Sequence, residues 1–245
     1  MSSAPRSTDN LLLNALEPAD RDRLLAQMTR VDLHREKVLA AEGRSVDTFH
    51  FLEAGIASVV AARDHAQTEV GIVGREGMTD VGTLLGAERA SFRTYVQVDG
   101  GTALTIGTAA LRAEMEVSAG VRRTLLAFAR CFLTQVSGAV VSCAEHMMEA
   151  RLARWLLMCH DRVAGEQIPL THEFMATMIA ARRSGVTITL HSLEGAGLIR
   201  STRGLVTILD RAKLEELAGD SYGQPEAEYR NLIAPFGRQA TGEAG

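Results

Sequence analysis

Between residues 11 and 29 apolar side chains recur at helical spacing, and Pro18 divides the stretch, which predicts two short helices. Beyond them, ten of the 22 glycines fall between Gly43 and Gly107, among short apolar runs at 49–52, 56–60 and 95–98. Short strands separated by frequent turn residues predict an antiparallel β-barrel or sandwich that ends near Gly107.

From Thr108 the pattern changes. No proline occurs between Pro18 and Pro169, and Gly120 and Gly138 are the only glycines from 108 to 164. Val121, Leu125, Phe128, Phe132 and Gln135 form one stripe at four- and three-residue steps, and Leu126, Ala129, Leu133, Val136 and Val140 form a second beside it. A helix with two such stripes needs two partners. One stripe is expected to pack on the β-domain and the other on the same helix of a second subunit, coiled-coil fashion. A helix buried inside a single domain is the alternative. A further helix is predicted over 147–162, with Leu152, Trp155, Leu156 and Met158 apolar, and the loop at 164–169 stops it.

The segment 170–209 is the most informative. Thr171 is placed to N-cap a short helix carrying Phe174, Met175 and Met178. A tight connection through Ala180 and Ala181 leads to a second helix over 182–194. Val186, Leu190 and Leu193 share one face of it, and Arg183, Thr187 and His191 the opposite face, with Ser184 and Ile188 alongside. Gly195 and Gly197 close this helix; a strand from Leu198, a turn at 201–204 and a return strand at 205–209 follow. Helix, short turn, helix and hairpin make a winged helix-turn-helix.

Composition narrows the function classes. With 245 residues, 46% apolar and 23% charged, the chain is globular in character, which argues against a disordered, collagen-like or disulfide-stapled protein. Its three cysteines, Cys131, Cys143 and Cys159, lack paired spacing, so a reducing compartment and structural burial are expected for them. Cys143 with His146, and Cys159 with His160, do not converge at metal-ligand spacing. The polar N-terminus shows no signal peptide, and the uncharged run 131–144 is too short and too polar to span a bilayer. A soluble cytoplasmic protein without a membrane partner is expected. The net charge of −4 leaves polyanion binding to a local patch. His172-Glu173 begins like a zinc-protease helix, but Ala176 stands where the second histidine is needed, and no GxxxxGK[ST], GxGxxG or GxSxG occurs. An enzyme is not expected.

Pro169-Leu-Thr-His-Glu-Phe-Met-Ala, Ala181-Arg-Arg-Ser-Gly-Val-Thr and Gly197-Leu-Ile together resemble the DNA-binding domain of the Crp/Fnr superfamily of bacterial transcription regulators. Arg151-Leu-Ala-Arg-Trp-Leu-Leu resembles the helix leading into that domain, and Val73-Gly-Arg-Glu-Gly-Met resembles a segment of effector domains that are not cAMP binders. The resemblance implies an α+β fold. A cyclic-nucleotide-binding-like antiparallel β-roll (a double-stranded β-helix, jelly-roll-like) would occupy 10–115, and a long dimerisation helix 116–144. A winged helix-turn-helix would follow at 145–215, and an extension at 216–245, where one branch carries cysteines that are absent here. It further implies a homodimer, a pseudo-palindromic double-stranded DNA operator, RNA polymerase as a partner, and possible modulation by a ligand in the β-roll.

Departures from the family pattern sharpen these expectations. In cAMP-binding members a glutamate holds the ribose, and an arginine and a serine hold the phosphate. Register puts Gly82 and Thr83 at the first pair and Arg93 and Thr94 at the second. Arg93 keeps an anion-pairing group, but Thr83 cannot accept charge-assisted bonds from a ribose hydroxyl, so cAMP or another cyclic nucleotide is not expected. An iron–sulfur cluster needs four cysteine ligands, which three thiols do not supply. On the recognition helix, Arg183 keeps a family arginine able to grip a guanine edge, while Ser184 and Ile188 replace a glutamate and an arginine. Thr187 and His191 share that face. Thr171, Arg182 and Arg203 are the candidates for phosphate contacts. Where the family commonly has glycine, Ala180 stands, and a left-handed backbone is expected there. A sensor or adaptor with vestigial DNA binding is the competing reading, because residues 166–215 are barely basic.

Overall fold

The computed structural model describes residues 7–63, 66–98 and 101–238. Residues 239–245 of the expected extension lie outside these. The chain opens with α1 (Leu11–Asn14) and α2 (Pro18–Leu25), then β1 (Thr29–Leu33), β2 (Val38–Ala40), β3 (Thr48–Leu52), β4 (Ile56–Arg63) and β5 (Ala66–Val73). After α3 (Val81–Leu84) come β6 (Arg93–Val98), β7 (Gly101–Gly107), α4 (Thr108–Val117), α5 (Ala119–Glu145) and α6 (Met148–His160). The C-terminal part contains β8 (Gln167–Ile168), α7 (His172–Met178), α8 (Arg183–Gly195), β9 (Ile199–Thr202), β10 (Leu205–Ile208), α9 (Arg211–Ala218) and α10 (Gln224–Leu232).

The β-roll is two antiparallel sheets, ordered β1-β7-β3 and β2-β6-β4-β5. Apolar side chains between them, Phe49, Phe51, Leu104 and Ile106 among them, form the first core together with α1, α2 and one stripe of α5. β4 is buried on both faces because its alternate residues serve different cores. Ala57 and Val59 point inward, while Ile56 and Val60 belong to a second core with α6, α7 and α8. The helix-turn-helix unit thus sits on the outer face of the four-stranded sheet.

Val121, Leu125, Phe128, Phe132 and Gln135 are all buried, as their spacing predicted. Close approach of α5 requires glycine beneath it: a Cβ on Gly77 would lie 2.3 Å from the Phe128 ring, and one on Gly71 2.9 Å from that of Phe132. The helix differs from the expected 116–144 in starting at Ala119, because Ser118 leaves helical geometry to cap it. Ser118 Oγ accepts the Val121 N–H at 3.1 Å and donates to Asp20 at 2.8 Å.

Two expectations need correction. Cys131 and Cys159 are buried, but Cys143 is exposed, since it sits on the solvent side of α5 while its neighbour Ser142 is buried. The uncharged run 131–144 also understated the helix. With 27 residues and a mean hydropathy of 1.5 over its best 18-residue window, α5 has the length and apolarity to cross a membrane, although its buried stripe packs on the β-roll. The extension folds back along α5, where Tyr229 and Phe236, ring centroids 5.1 Å apart, join the first core.

Candidate nucleic-acid interface and effector cavity

The helix-turn-helix is built by two caps and a turn. Thr171 Oγ1 accepts the Phe174 N–H at 3.2 Å and starts α7. At its end, Ala181 N–H donates to Ala176 O at 2.9 Å while Ala180 adopts φ 49°, the left-handed backbone expected there. A contact invisible in the sequence fixes this turn: Arg151 Nη2 on α6 donates to the Ile179 carbonyl. The only signal for it was the arginine at the head of the Arg151-Leu-Ala-Arg-Trp stretch.

Helix α8 begins at Arg183, one residue later than predicted, with Arg182 as an N-cap whose side chain makes no capping bond. Val186, Leu190 and Leu193 are buried, and Thr189 joins them. On the other side Arg182, Arg183, Ser184 and His191 are exposed. Ile188 is 70% exposed, a large apolar side chain held in solvent. Thr187 is half-buried, and its hydroxyl donates to the Arg183 carbonyl at 3.0 Å. The β9–β10 hairpin carries exposed Arg203 at its tip, beside Gly204 at φ 76°. An unforeseen third strand, β8, pairs with β10 in register Val206 to Ile168, so the predicted loop at 164–169 ends in a sheet.

In the β-roll the four candidate effector residues divide. A cavity of about 190 Å³ lies between the four-stranded sheet and α5, with Val59, Val73 and Phe92 on one side and Phe132, Leu133 and Val136 on the other. Gly82 and Thr94 line it. Neighbouring residues of a strand face opposite ways, so Arg93 points outward, its guanidinium 4.7 Å from the centroid of the Tyr95 ring. Thr83 is buried beside the cavity, its N–H donating to Asp80 Oδ1 at 2.8 Å. The charged wall that a phosphate needs is therefore turned away. Among the described residues no group of three His, Cys, Asp or Glu side chains could hold a metal ion.

Residues 150–217 match the Crp-like helix-turn-helix domain family. No curated protein matches the sequence. The fold is similar to that of FixK2 from Bradyrhizobium japonicum, with a TM-score of 0.69 at 13% identity over 78% of this chain and 98% of that one. It is also similar to CLP of Xanthomonas campestris, a c-di-GMP responsive global regulator, with a TM-score of 0.64 at 15% identity over 78% and 99% of the two chains. A CRP-family transcriptional regulator of Thermus thermophilus, TTHB099, gives a TM-score of 0.57 at 22% identity over 78% and 96%.

Proposed function

We propose, starting from a chain of the Crp/Fnr fold whose residues 150–217 form a Crp-like helix-turn-helix domain, that the protein is a dimeric, sequence-specific transcription regulator of the cytoplasm. One observation carries the reading. Helix α8 holds Arg183, Ser184, Thr187, Ile188 and His191 opposite a face fixed in the core, as a helix that enters a major groove must. Arg183 grips a guanine edge, Ile188 meets a thymine methyl, and Thr171, Arg182 and Arg203 hold phosphates.

The second stripe of α5 supports pairing with another copy. Leu126, Leu133 and Val140, seven residues apart, are 42%, 54% and 65% exposed, and half-buried Val136 falls between them in the a/d pattern of a parallel coiled coil. Ala129, expected on this stripe, is 2% exposed and belongs to the first core instead. Two recognition helices then stand about 34 Å apart on a pseudo-palindromic operator, where RNA polymerase is the partner acted upon. The cavity supports an effector that is uncharged and apolar rather than a cyclic nucleotide. Its volume is comparable with the roughly 150 Å³ apolar cavities that take benzene. Leu133 and Val136 line it and also belong to the pairing stripe, so a molecule bound there acts on the dimer directly.

DNA selection with the purified protein in physiological salt tests this. A two-fold symmetric motif is the expected outcome, lost in the Arg182→Ala, Arg183→Ala double variant. If the double variant still shifts the selected DNA, α8 is not the reader. If no motif emerges with or without a small aromatic probe such as indole, the adaptor reading prevails.

A further inference from the structure

The seat of the helix-turn-helix unit on the β-roll encloses one polar cluster. Glu69 of β5 is 7% exposed, and its Oε1 accepts the Trp155 indole N–H of α6 at 2.6 Å. Its Oε2 lies 2.6 Å from Ser58 Oγ on β4. That same hydroxyl lies 2.6 Å from Gln97 Oε1 on β6 and 3.7 Å from Met178 Sδ on α7, while Gln97 directs its Nε2 towards Cys159 Sγ of α6 at 4.0 Å. A hydroxyl carries one proton and can donate to Gln97 or to Glu69, not to both. With the Gln97 carbonyl turned to Ser58 it takes that proton, and the 2.6 Å Glu69–Ser58 contact is then made by a protonated carboxyl donating to Ser58 Oγ. The reversed Gln97 amide would instead leave Ser58 to donate to a carboxylate.

Among the described residues no cation bonds Glu69 directly, and Arg154 and Arg162 act on it only through charge at a distance. Arg154 on α6 gives its Nε to Ser221 O at 2.9 Å and its Nη2 to Gln135 O at 3.3 Å, and Arg162 gives its Nε to Glu76 at 2.9 Å. Arg151 gives its Nη2 to the Ile179 carbonyl. From α5, Gln135 accepts the Ile72 N–H at 2.6 Å. Tyr95 on β6 and Cys159 on α6 face the cluster as neutral groups, the phenol pushed up to about 12 and the thiol higher than usual, both chiefly by burial.

We propose that Glu69 is a neutral carboxylic acid in this interface and acts as a pH-dependent latch, holding the helix-turn-helix unit on the β-roll when protonated and releasing it when ionised. Burial pushes the docked carboxyl up to about 8, against an ordinary 4.5 for an exposed glutamate. Between those values the docked form holds one more proton than the released form. Well between those values each unit of rising pH favours release about tenfold, and from pH 6 to 8 about fiftyfold, because the docked carboxyl is half ionised at 8. Below about 4.5 the latch is fully closed, and above about 8 nothing further changes.

Trp155 is the only tryptophan in the chain, so its emission and its single indole N–H resonance report on the latch directly. In the full-length protein, raising the pH from 6 to 8.5 should shift the emission to the red, open the indole to acrylamide and move the N–H resonance. Glu69→Gln, neutral throughout, should stay flat. Ser58→Ala, which keeps the carboxyl but removes the oxygen that receives its proton, should move the midpoint. A wild type unchanged over this range, the same response in Glu69→Gln, or an unmoved midpoint in Ser58→Ala overturns the proposal. None of these readouts involves DNA, so they fail or succeed independently of the regulator reading.

Discussion

The Arg162 guanidinium meets the Glu76 carboxylate at 2.9 Å, with the two side chains only 2% and 4% exposed. Glu76 belongs to the Gly-Arg-Glu-Gly-Met segment of the β-roll and also accepts the Gly74 N–H at 3.1 Å. Arg162 follows α6 and lies 5.1 Å from the centroid of the Phe236 ring in the extension. One ion pair therefore joins the β-roll, the connection to the helix-turn-helix and the C-terminal extension.

Removing one member of such a pair leaves the other buried and deprived of its closest counter-charge. Glu76→Ala should lower the unfolding free energy by about 3–5 kcal/mol, read as a drop in urea midpoint. A loss below about 1 kcal/mol would mean that Glu226, whose Oε1 is 4.0 Å from Arg162 Nη1, takes over the pairing.

Ala180 occupies the left-handed region at φ 49°, which costs a residue with a Cβ about 1 kcal/mol. Ala180→Gly should leave the melting temperature unchanged or raise it by about 2–4 °C. A clear fall would show that the Arg151 bonds to this turn already absorb the strain.

Charge on the pairing stripe of α5 should separate the subunits. Leu126 and Val140 lie outside the first core, so Leu126→Glu with Val140→Glu is expected to yield a folded monomer in sedimentation experiments. A dimer of unchanged strength would mean that pairing uses another surface.

His50 should make the protein acid-sensitive. Burial, and then the Lys37 charge, hold the imidazole down at about 4, whereas the unfolded chain takes its proton near 6.5. The contribution of His50 is thus complete above pH 6.5 and is lost as pH falls towards 4, by about 1.4 kcal/mol per unit. Glu69 gives the opposite slope above about 4.5, so the informative quantity is the difference between wild type and His50→Gln at each pH. A difference that stays constant from pH 7 to 4.5 would place the His50 ring in contact with water.

Periodicity made the elements legible. Two short N-terminal helices, a β-region ending at Gly107, the buried stripe of α5 and the buried triplet of α8 all follow from spacing, whereas Ala129 of the second stripe joins the first core. Positive φ at Ala180 was legible only through the resemblance, because the family commonly has glycine at that place in the turn. Contacts between distant segments were not. The Arg162–Glu76 pair, Asn10 reaching the Leu52 and Gly77 carbonyls at 2.8 Å, and the strand β8 depend on chain paths that no local pattern encodes. The effector candidates divide for a local reason: Gly82 and Thr94 line the cavity, whereas Arg93, next to Thr94 on the strand, faces the other way.

The pairing of β8 with β10 has an evolutionary consequence. It brings residues 167 and 207 side by side, so every residue proposed to read DNA lies in a cassette whose two ends meet in one small sheet. Such a segment can be exchanged between relatives at two adjacent seams. Yet it carries Met178, whose sulfur touches Ser58 on the β-roll, into the exchange. On the proposed reading, a new operator preference acquired this way would bring a new contact at the Glu69 cluster with it.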